Sequence, residues 1–193
     1  MNKNDLRFIK TEKIIKQTFL DLINEKDYQK VTISEICKNA LISRNTFYIH
    51  YQTIDDLINS IYQDIEADFQ NTPPDINDIR KCTQWYIQVV NQNRLIISTL
   101  LKCPSLRFKE ILFQSVIREP MSSVIQDFDI LCQDIKVKLN ISYMIDAMIS
   151  YTKCWLDNYD KISIQDVCED LYLLCDQPTE LFYHKIKYHN KKS

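Results

Sequence analysis

Three polar residues, Arg44, Asn45 and Thr46, stand directly after Ser43 and open the run Arg-Asn-Thr-Phe-Tyr-Ile-His-Tyr. A guanidinium can fork onto guanine, an amide can pair with an adenine edge, and a threonine methyl can touch a thymine methyl. Such contacts need side chains on the first exposed turn of a helix. Ser43 supplies the N-cap, and Phe47 and Tyr51, four apart, supply the buried face. Tyr48 and His50 lie off that face, where each can donate a hydrogen bond to a flanking phosphate. From spacing alone, the same residues also fit a capped surface helix with a solvated polar face.

Other chemistries find less support. The three histidines are His50 in this run and His184 and His189 near the end, and no HExxH pattern or cysteine–histidine cluster accompanies them. No metal site, cofactor or catalytic constellation is therefore expected, and the chain does not read as an enzyme. Seven cysteines, at 37, 82, 103, 132, 154, 168 and 175, include no CxxC pair and sit mostly among apolar residues. They read as reduced, buried thiols. The chain contains no glycine, which removes the usual phosphate-cradling loops and glycine hairpin turns together.

The elements that must position Arg44–Thr46 are helices. Ile15, Phe19, Leu22 and Ile23 mark a helix over about 8–25, and Ile33, Ile36, Cys37 and Ala40 mark a short one over about 33–40. Thr32-x-x-Glu35 has capping-box spacing. Thr53 is the expected N-cap of a longer helix through Leu57, Ile61, Ile65 and Phe69, ended by Pro73-Pro74. Further helices are expected near 76–92, 94–102, 105–128, 139–158 and 163–177. Pro104 and Pro178 serve as boundaries, and a kink or split falls at Pro120. The tail from Lys185 is expected to fray. The fold class is all-α: a three-helix helix-turn-helix head over 1–53 on a larger helical body over 54–193.

Charge divides along the same line. Residues 1–53 carry nine Lys/Arg against six Asp/Glu, a net +3, while residues 54–193 carry fifteen against twenty, a net −5. A basic head on an acidic body suits contact with phosphates at one end. No stretch approaches the roughly 20 apolar residues of a membrane span. The first residues lack the apolar core of a secretory signal, so a cytoplasmic location is expected.

The run from Thr11 to Tyr62 resembles the N-terminal domain of the TetR family of regulators. Thr11 matches a threonine near the start of the first helix. Thr32-Ile33-Ser34-Glu35-Ile36-Cys37 matches the opening of the second, and Ala40 through Tyr51 match the turn and the reading helix. Three positions depart from the pattern: Leu41 replaces the turn glycine, Cys37 an alanine, and Ile54 a phosphate-contacting lysine. The resemblance implies a sequence-specific regulator, more often a repressor, that binds an inverted repeat in double-stranded DNA as a homodimer. It places base contacts at Arg44, Asn45 and Thr46, and phosphate contacts at Thr11, Thr32, Ser43, Tyr48 and His50. Lys10, Lys38 and the helix starts at Thr32 and Thr53 are expected to compensate for Ile54.

In the body, the helix over 139–158 is apolar on more than one face, with Tyr143, Ala147, Tyr151 and Cys154 on one side and Ile141, Ile145, Met148, Ile149 and Leu156 on the other. A helix apolar all round must bury both faces. Its C-terminal pattern loosely resembles the DhaS-like subgroup of the family. The resemblance implies a dimer interface at Ile145, Ile149, Leu171 and Leu174. It also implies a pocket for a small hydrophobic effector, placed at Tyr86, Phe113, Tyr143 and Tyr151 because each aromatic ring suits a ligand cavity.

Overall fold

Capping chemistry decides where the helices of this chain start, because each helix leaves its first four N–H groups without an intrahelical partner. A computed structural model describes residues 6–71, 73–102 and 108–189, with side chains described as far as 176. Every regular element among them is helical. The chain divides into two units, Met1–Ile65 with Thr99–Leu106 and Glu66–Ser98 with Arg107–Ser193.

The first unit holds α1 (Leu6–Glu25), α2 (Ile33–Asn39), α3 (Arg44–His50) and the first three turns of α4 (Ile54–Gln70). Its core is the stripe the sequence shows: Ile15, Phe19 and Ile23 of α1, Ile36 and Cys37 of α2, Phe47 of α3, and Leu57, Ile58 and Ile61 of α4 are all buried. Full burial of a ring such as Phe47 contributes about 1.5–3 kcal/mol, more than any single cap. Val31-Thr32-Ile33 forms no strand.

The start of α2 is a complete capping box. The Thr32 hydroxyl accepts from the Glu35 N–H at 3.3 Å, and the Glu35 carboxylate accepts from the Thr32 N–H at 3.0 Å. Lys26 Nζ reaches the same carboxylate at 2.5 Å. The Lys26 ammonium, helped by the Thr32 donors, holds the Glu35 carboxyl down at about 2. At α4, Thr53 and Asp56 exchange the same pair of bonds, at 2.9 and 3.1 Å.

Helix α2 ends in a Schellman turn built without glycine. The Ile42 N–H donates to the Cys37 carbonyl at 3.0 Å and the Leu41 N–H to the Lys38 carbonyl at 3.4 Å. Leu41 holds the left-handed conformation, φ 55°, that this motif requires. Its side chain is 91% exposed, so nothing it packs against offsets that backbone cost.

The second unit holds the rest of α4, α5 (Ile79–Gln92), α6 as far as Ser98 (Arg94–Leu101 overall), α7 (Phe108–Ile111), α8 (Glu119–Val124), α9 (Phe128–Leu131), α10 (Ile135–Asp157) and α11 (Ile164–His189). The helix expected over 105–128, with a kink or split at Pro120, is interrupted on either side of that proline instead. A seven-residue π-helix, Leu112–Arg118, follows α7, and Pro120 sits in the first turn of α8. Proline cannot donate to the carbonyl four residues back and its ring crowds that group, so the wider π spacing just before it relieves both problems. The chain then leaves the helix at Ile125, which is extended, and at Asp127, which has φ 59°. Pro104 lies outside the described residues.

Two other boundaries move. Helix α10 begins at Ile135 rather than 139, because the Asp134 carboxylate caps it by accepting from the Lys136 N–H at 2.7 Å. The alternation Ile135-Lys136-Val137-Lys138-Leu139 has a two-residue period that hides this turn. Helix α11 runs through Pro178 to His189, past both the expected stop and the expected start of the tail. A proline removes a single ladder bond, and a helix with three turns already formed before it can absorb the loss. α5 and α11 form the main packed pair of this unit.

Two outcomes follow from the head's caps. Leu41→Gly should raise stability by about 0.5–1 kcal/mol, or roughly 2 °C in the melting temperature, and an unchanged or lower value would contradict the left-handed turn. Glu35 has its folded pKa below its ordinary value of 4.5, so its contribution is in place above that pH and is lost as pH falls toward about 2. The melting-temperature gap between the native chain and Glu35→Gln should therefore be full at pH 6 and close progressively between about pH 4.5 and 2 in a pH series of thermal melts.

Candidate nucleic-acid interface and body cavity

Helix α3 is held from both ends. At its start, Ser43 Oγ accepts from the Thr46 N–H at 3.0 Å and lies 2.8 Å from Thr46 Oγ1. At its end, the Tyr51 hydroxyl donates to Glu12 Oε1 of α1 at 3.1 Å and lies 3.4 Å from Ser60 Oγ of α4. Lys16 continues the chain of contacts, 3.2 Å from Glu12 and 2.6 Å from Asp64. Burial acts to raise the Glu12 carboxyl, but the hydrogen bond and charge of Lys16, with the Tyr51 hydroxyl, outweigh it and keep Glu12 below its ordinary value. Burial also pushes the Tyr51 phenol up, so it stays a neutral donor. With Phe47 buried and Tyr51 anchored, α3 cannot roll about its axis.

That fixes which side chains α3 shows. Arg44, Asn45, Tyr48 and Ile49 are exposed, and Thr46 is half-buried. Arg44 donates to Ser34 Oγ of α2, which pre-orients its guanidinium. The Asn45 amide makes no hydrogen bond to a described residue, leaving its donors and acceptor available. Tyr48 stands edge-on to Phe47 at 5.9 Å between ring centroids, and its carbonyl accepts from Gln52 Nε2 at 3.2 Å. Ile49, 52% exposed, is an apolar member of this face that the sequence reading passes over. The spacing 45, 48, 49, 52 would have revealed it, because those positions share one side of a helix.

The expected phosphate contacts differ in how available they are. Tyr48 is free to donate. His50 packs tilted against Phe8, ring centroids 4.0 Å apart, and its buried Nδ1 has no hydrogen-bond partner among the described residues. Burial lowers the imidazole pKa, the Glu12 charge opposing this in part, so a neutral ring is expected at pH 7. A buried N–H is costlier to leave unpaired than a bare lone pair, so we assign the proton to Nε2. The Thr11 hydroxyl donates to the Arg7 carbonyl at 2.8 Å, so its hydrogen is already committed. The helix starts at Thr32 and Thr53 are occupied by the carboxylates of Glu35 and Asp56. The expectation that their N–H groups compensate for Ile54 is therefore corrected, since a phosphate would have to displace an internal anion. Lys10 and Lys38 are exposed.

In the second unit a cavity of about 100 Å³ lies among the Pro73-Pro74 segment, α5, α8, α10 and α11. Of the four expected pocket residues, Tyr86 lines it, buried and sharing a 2.7 Å hydrogen bond with Thr152. Phe113 and Tyr151 are not among its walls, and the Tyr151 hydroxyl instead donates to the Val167 carbonyl at 3.2 Å. Tyr143 is 67% exposed. It belongs to an apolar stripe on α10, with Ile135, Leu139 and Ala147 also exposed, while Leu173 and Leu174 are exposed on α11. Ile145 and Leu171, expected at a dimer interface, are buried within this chain, and Ile149 is half-buried. A helix apolar all round has two faces, and the structure assigns the inner one to Ile141, Ile145 and Met148. Among the described residues no group of acidic, histidine or cysteine side chains could hold a metal ion, and no helix is long and apolar enough to cross a membrane.

This arrangement has counterparts. The chain is 38% identical over 60 residues to an uncharacterised HTH-type transcriptional regulator YxbF of Bacillus subtilis (strain 168), a match covering 31% of this chain and 16% of that protein. It is 33% identical over 72 residues to the HTH-type dhaKLM operon transcriptional activator DhaS of Lactococcus lactis subsp. lactis (strain IL1403), covering 37% and 38%. The chain thus spans well under two thirds of either relative. The structure of a TetR transcriptional regulator from Streptococcus agalactiae 2603V superposes with a TM-score of 0.62 at 24% identity, over 88% of this chain and 96% of that one, a likeness of fold. Residues 18–61, from the middle of α1 to α4, match the family of bacterial regulatory proteins described as the tetR family. Residues 18–61, with the capped, Tyr51-anchored α3 among them, are thus the part of this chain that is similar to the tetR family of bacterial regulatory proteins.

Proposed function

We propose that this chain is a sequence-specific DNA-binding transcriptional regulator, its head over 1–53 reading an inverted repeat and its body over 54–193 joining two copies and binding an effector. The observation that carries this reading is the fixed, exposed face of α3, with Arg44 braced by Ser34 and Asn45 unpaired. In the major groove, Arg44, Asn45 and Thr46 read bases. Tyr48 and His50, with Ser43, lie against the sugar–phosphate strands. Occupying an operator is enough to block transcription, whereas activation needs a further surface for polymerase, so repression is the sign we favour. The named activity of the L. lactis relative is activation, and a reporter assay with and without the chain decides between them. The place of action is the cytoplasm, where bacterial DNA lies.

Dimerisation is supported by the exposed stripe Ile135, Leu139, Tyr143 and Ala147 on α10, with Leu173 and Leu174 on α11. Two copies packing these faces in a two-fold arrangement would cover apolar surface that a monomer leaves in water. The interface is thereby shifted outward from Ile145 and Leu171 to the exposed stripe of α10, whose Tyr143 lies two positions and Leu139 six positions before Ile145, and to Leu173 and Leu174, two and three positions after Leu171.

Two experiments test the reading. On a duplex carrying the preferred site, Arg44→Ala or Asn45→Ala should cost about 1–3 kcal/mol of binding and flatten the preference at one base position. Tyr48→Phe should weaken all duplexes alike, by about fivefold. Uniform losses from all three, read by fluorescence anisotropy, would contradict the assignment of base readers. In sedimentation velocity the native chain should run as a dimer at micromolar concentration, and Leu139→Asp with Tyr143→Asp as a monomer with unchanged helicity. A native monomer, or a variant that stays dimeric, would overturn the proposed interface.

A further inference from the structure

Helix α3 turns by about 100° per residue, and its two anchored side chains, Phe47 and Tyr51, fix the direction in which it is buried. Measured from the middle of that pair, Arg44 and Tyr48 fall on one flank, about 40° and 80° round, and half-buried Thr46 on the other, about 120° round. Asn45 lies about 140° round and Ile49 about 180°, directly away from the core. The outermost ridge of α3 is therefore an amide followed, one turn later, by a branched aliphatic side chain. Single aliphatic residues scattered over a surface are ordinary. Ile49 is not scattered: it sits at the crest of the one helix of the head that is held against rolling at both ends.

A side chain on that crest goes deepest when α3 enters a groove, and what it meets must suit an aliphatic group. Isoleucine has no donor or acceptor, so any polar base atom it covers is left unpaired at a cost. The apolar feature on the major-groove edge of a base pair is the thymine C5-methyl. Isoleucine is branched at Cβ and stiff about its first torsion, so little freedom is lost in holding it against a base. Thr46 also carries a methyl, but it is half-buried and its hydroxyl and N–H are both turned to Ser43 Oγ, at 2.8 and 3.0 Å. Gln52, three residues beyond Ile49, donates its amide to the Tyr48 carbonyl at 3.2 Å.

We propose that Ile49 is a specificity-determining residue that packs on the C5-methyl of a thymine in each half-site. It lies about 6 Å further along α3 than Asn45, so its thymine falls within about two base steps of the base that Asn45 reads. This rests on the reading of α3 as the helix that enters the major groove, and adds to it a base contact made without a hydrogen bond. A 5-methylcytosine presents its methyl at the same place and fits the same side chain.

The test starts from the duplex that the full native chain selects from a random pool. Its thymines are replaced by uracil one position at a time, in both half-sites together. Uracil keeps every hydrogen-bonding atom of thymine and lacks only the methyl. By fluorescence anisotropy, one position should weaken binding about fourfold per half-site, or roughly 15-fold for the symmetric pair. Ile49→Ala changes an exposed position to a better helix former. It should weaken the thymine duplex by a similar factor, and the uracil swap at that position should then cost nothing further. With a C·G pair placed there, 5-methylation of the cytosine should strengthen native binding about fourfold per half-site and leave Ile49→Ala unmoved. Native binding blind to every uracil swap, or a uracil penalty equal in both chains, overturns the proposal and leaves the reading of the head standing. A penalty that survives Ile49→Ala and vanishes in Thr46→Ser assigns the methyl to Thr46 and overturns it too. A chain that selects no duplex overturns both this inference and the reading of the head.

Discussion

The turn between α2 and α3 must reverse the chain within four residues in a protein that has no glycine to offer. Everything the head presents depends on how that turn is made. Leu41 takes the left-handed conformation in glycine's place, and the two Schellman bonds from Leu41 and Ile42 hold it there. Cys37 serves the turn twice, its carbonyl accepting from the Ile42 N–H and its thiol lying 3.9 Å from the Ser43 carbonyl. A sulfur at this position fills space and adds a weak donor where alanine would add neither. The crossing of α2 and α3 set by this turn puts Phe47 inside and Asn45, Tyr48 and Ile49 outside. Tyr51 and Glu12 then lock the far end.

Electrostatics in the head are organised inwardly to a degree that its net charge conceals. The positive starts of α2 and α4 are satisfied by Glu35 and Asp56 of the same helices, and Lys26 and Lys16 are spent on Glu35, Glu12 and Asp64. Such caps stabilise the head, since each bond removes an orphan N–H at the cost of little side-chain freedom. They also remove the sites that most readily hold a phosphate. Contact with a polyanion is left to the cations outside those pairs, among them the exposed Lys10, Lys13, Lys30, Lys38 and Arg44, and to uncharged donors such as Tyr48. Counterion release scales with the number of phosphates neutralised, so the salt dependence of binding counts how many of these cations take part.

The head was legible in the sequence because its signals are local. Thr32-x-x-Glu35, Ser43 before Arg44, and the four-residue spacings of Ile15–Phe19 and Phe47–Tyr51 each depend on residues within one or two turns. What was not legible depends on distance. No spacing links Tyr51 to Glu12, 39 positions away, or Lys16 to Asp64. In the body, apolar residues on both sides of α10 leave the inner face ambiguous until α5 and α11 are in place, and so Tyr143 is exposed where a pocket was expected and Ile145 is buried where an outer face was expected. Proline misled in both directions. Pro120 is accommodated by a π-helix with no sequence signature, and Pro178 lies inside a helix because a single missing bond does not end one. The cavity beside Trp85 is a property of five separate segments and has no local signal.

The central claim is that α3 reads sequence as one half of a symmetric pair. The measurement that tests it most directly is the DNA that the purified chain selects from a random duplex pool, sequenced without prior assumption. The account predicts enrichment of an inverted repeat whose half-site centres lie one helical turn, about 34–36 Å, or a multiple of it apart. Failure to enrich any sequence, or enrichment of a single unrepeated motif, would contradict it.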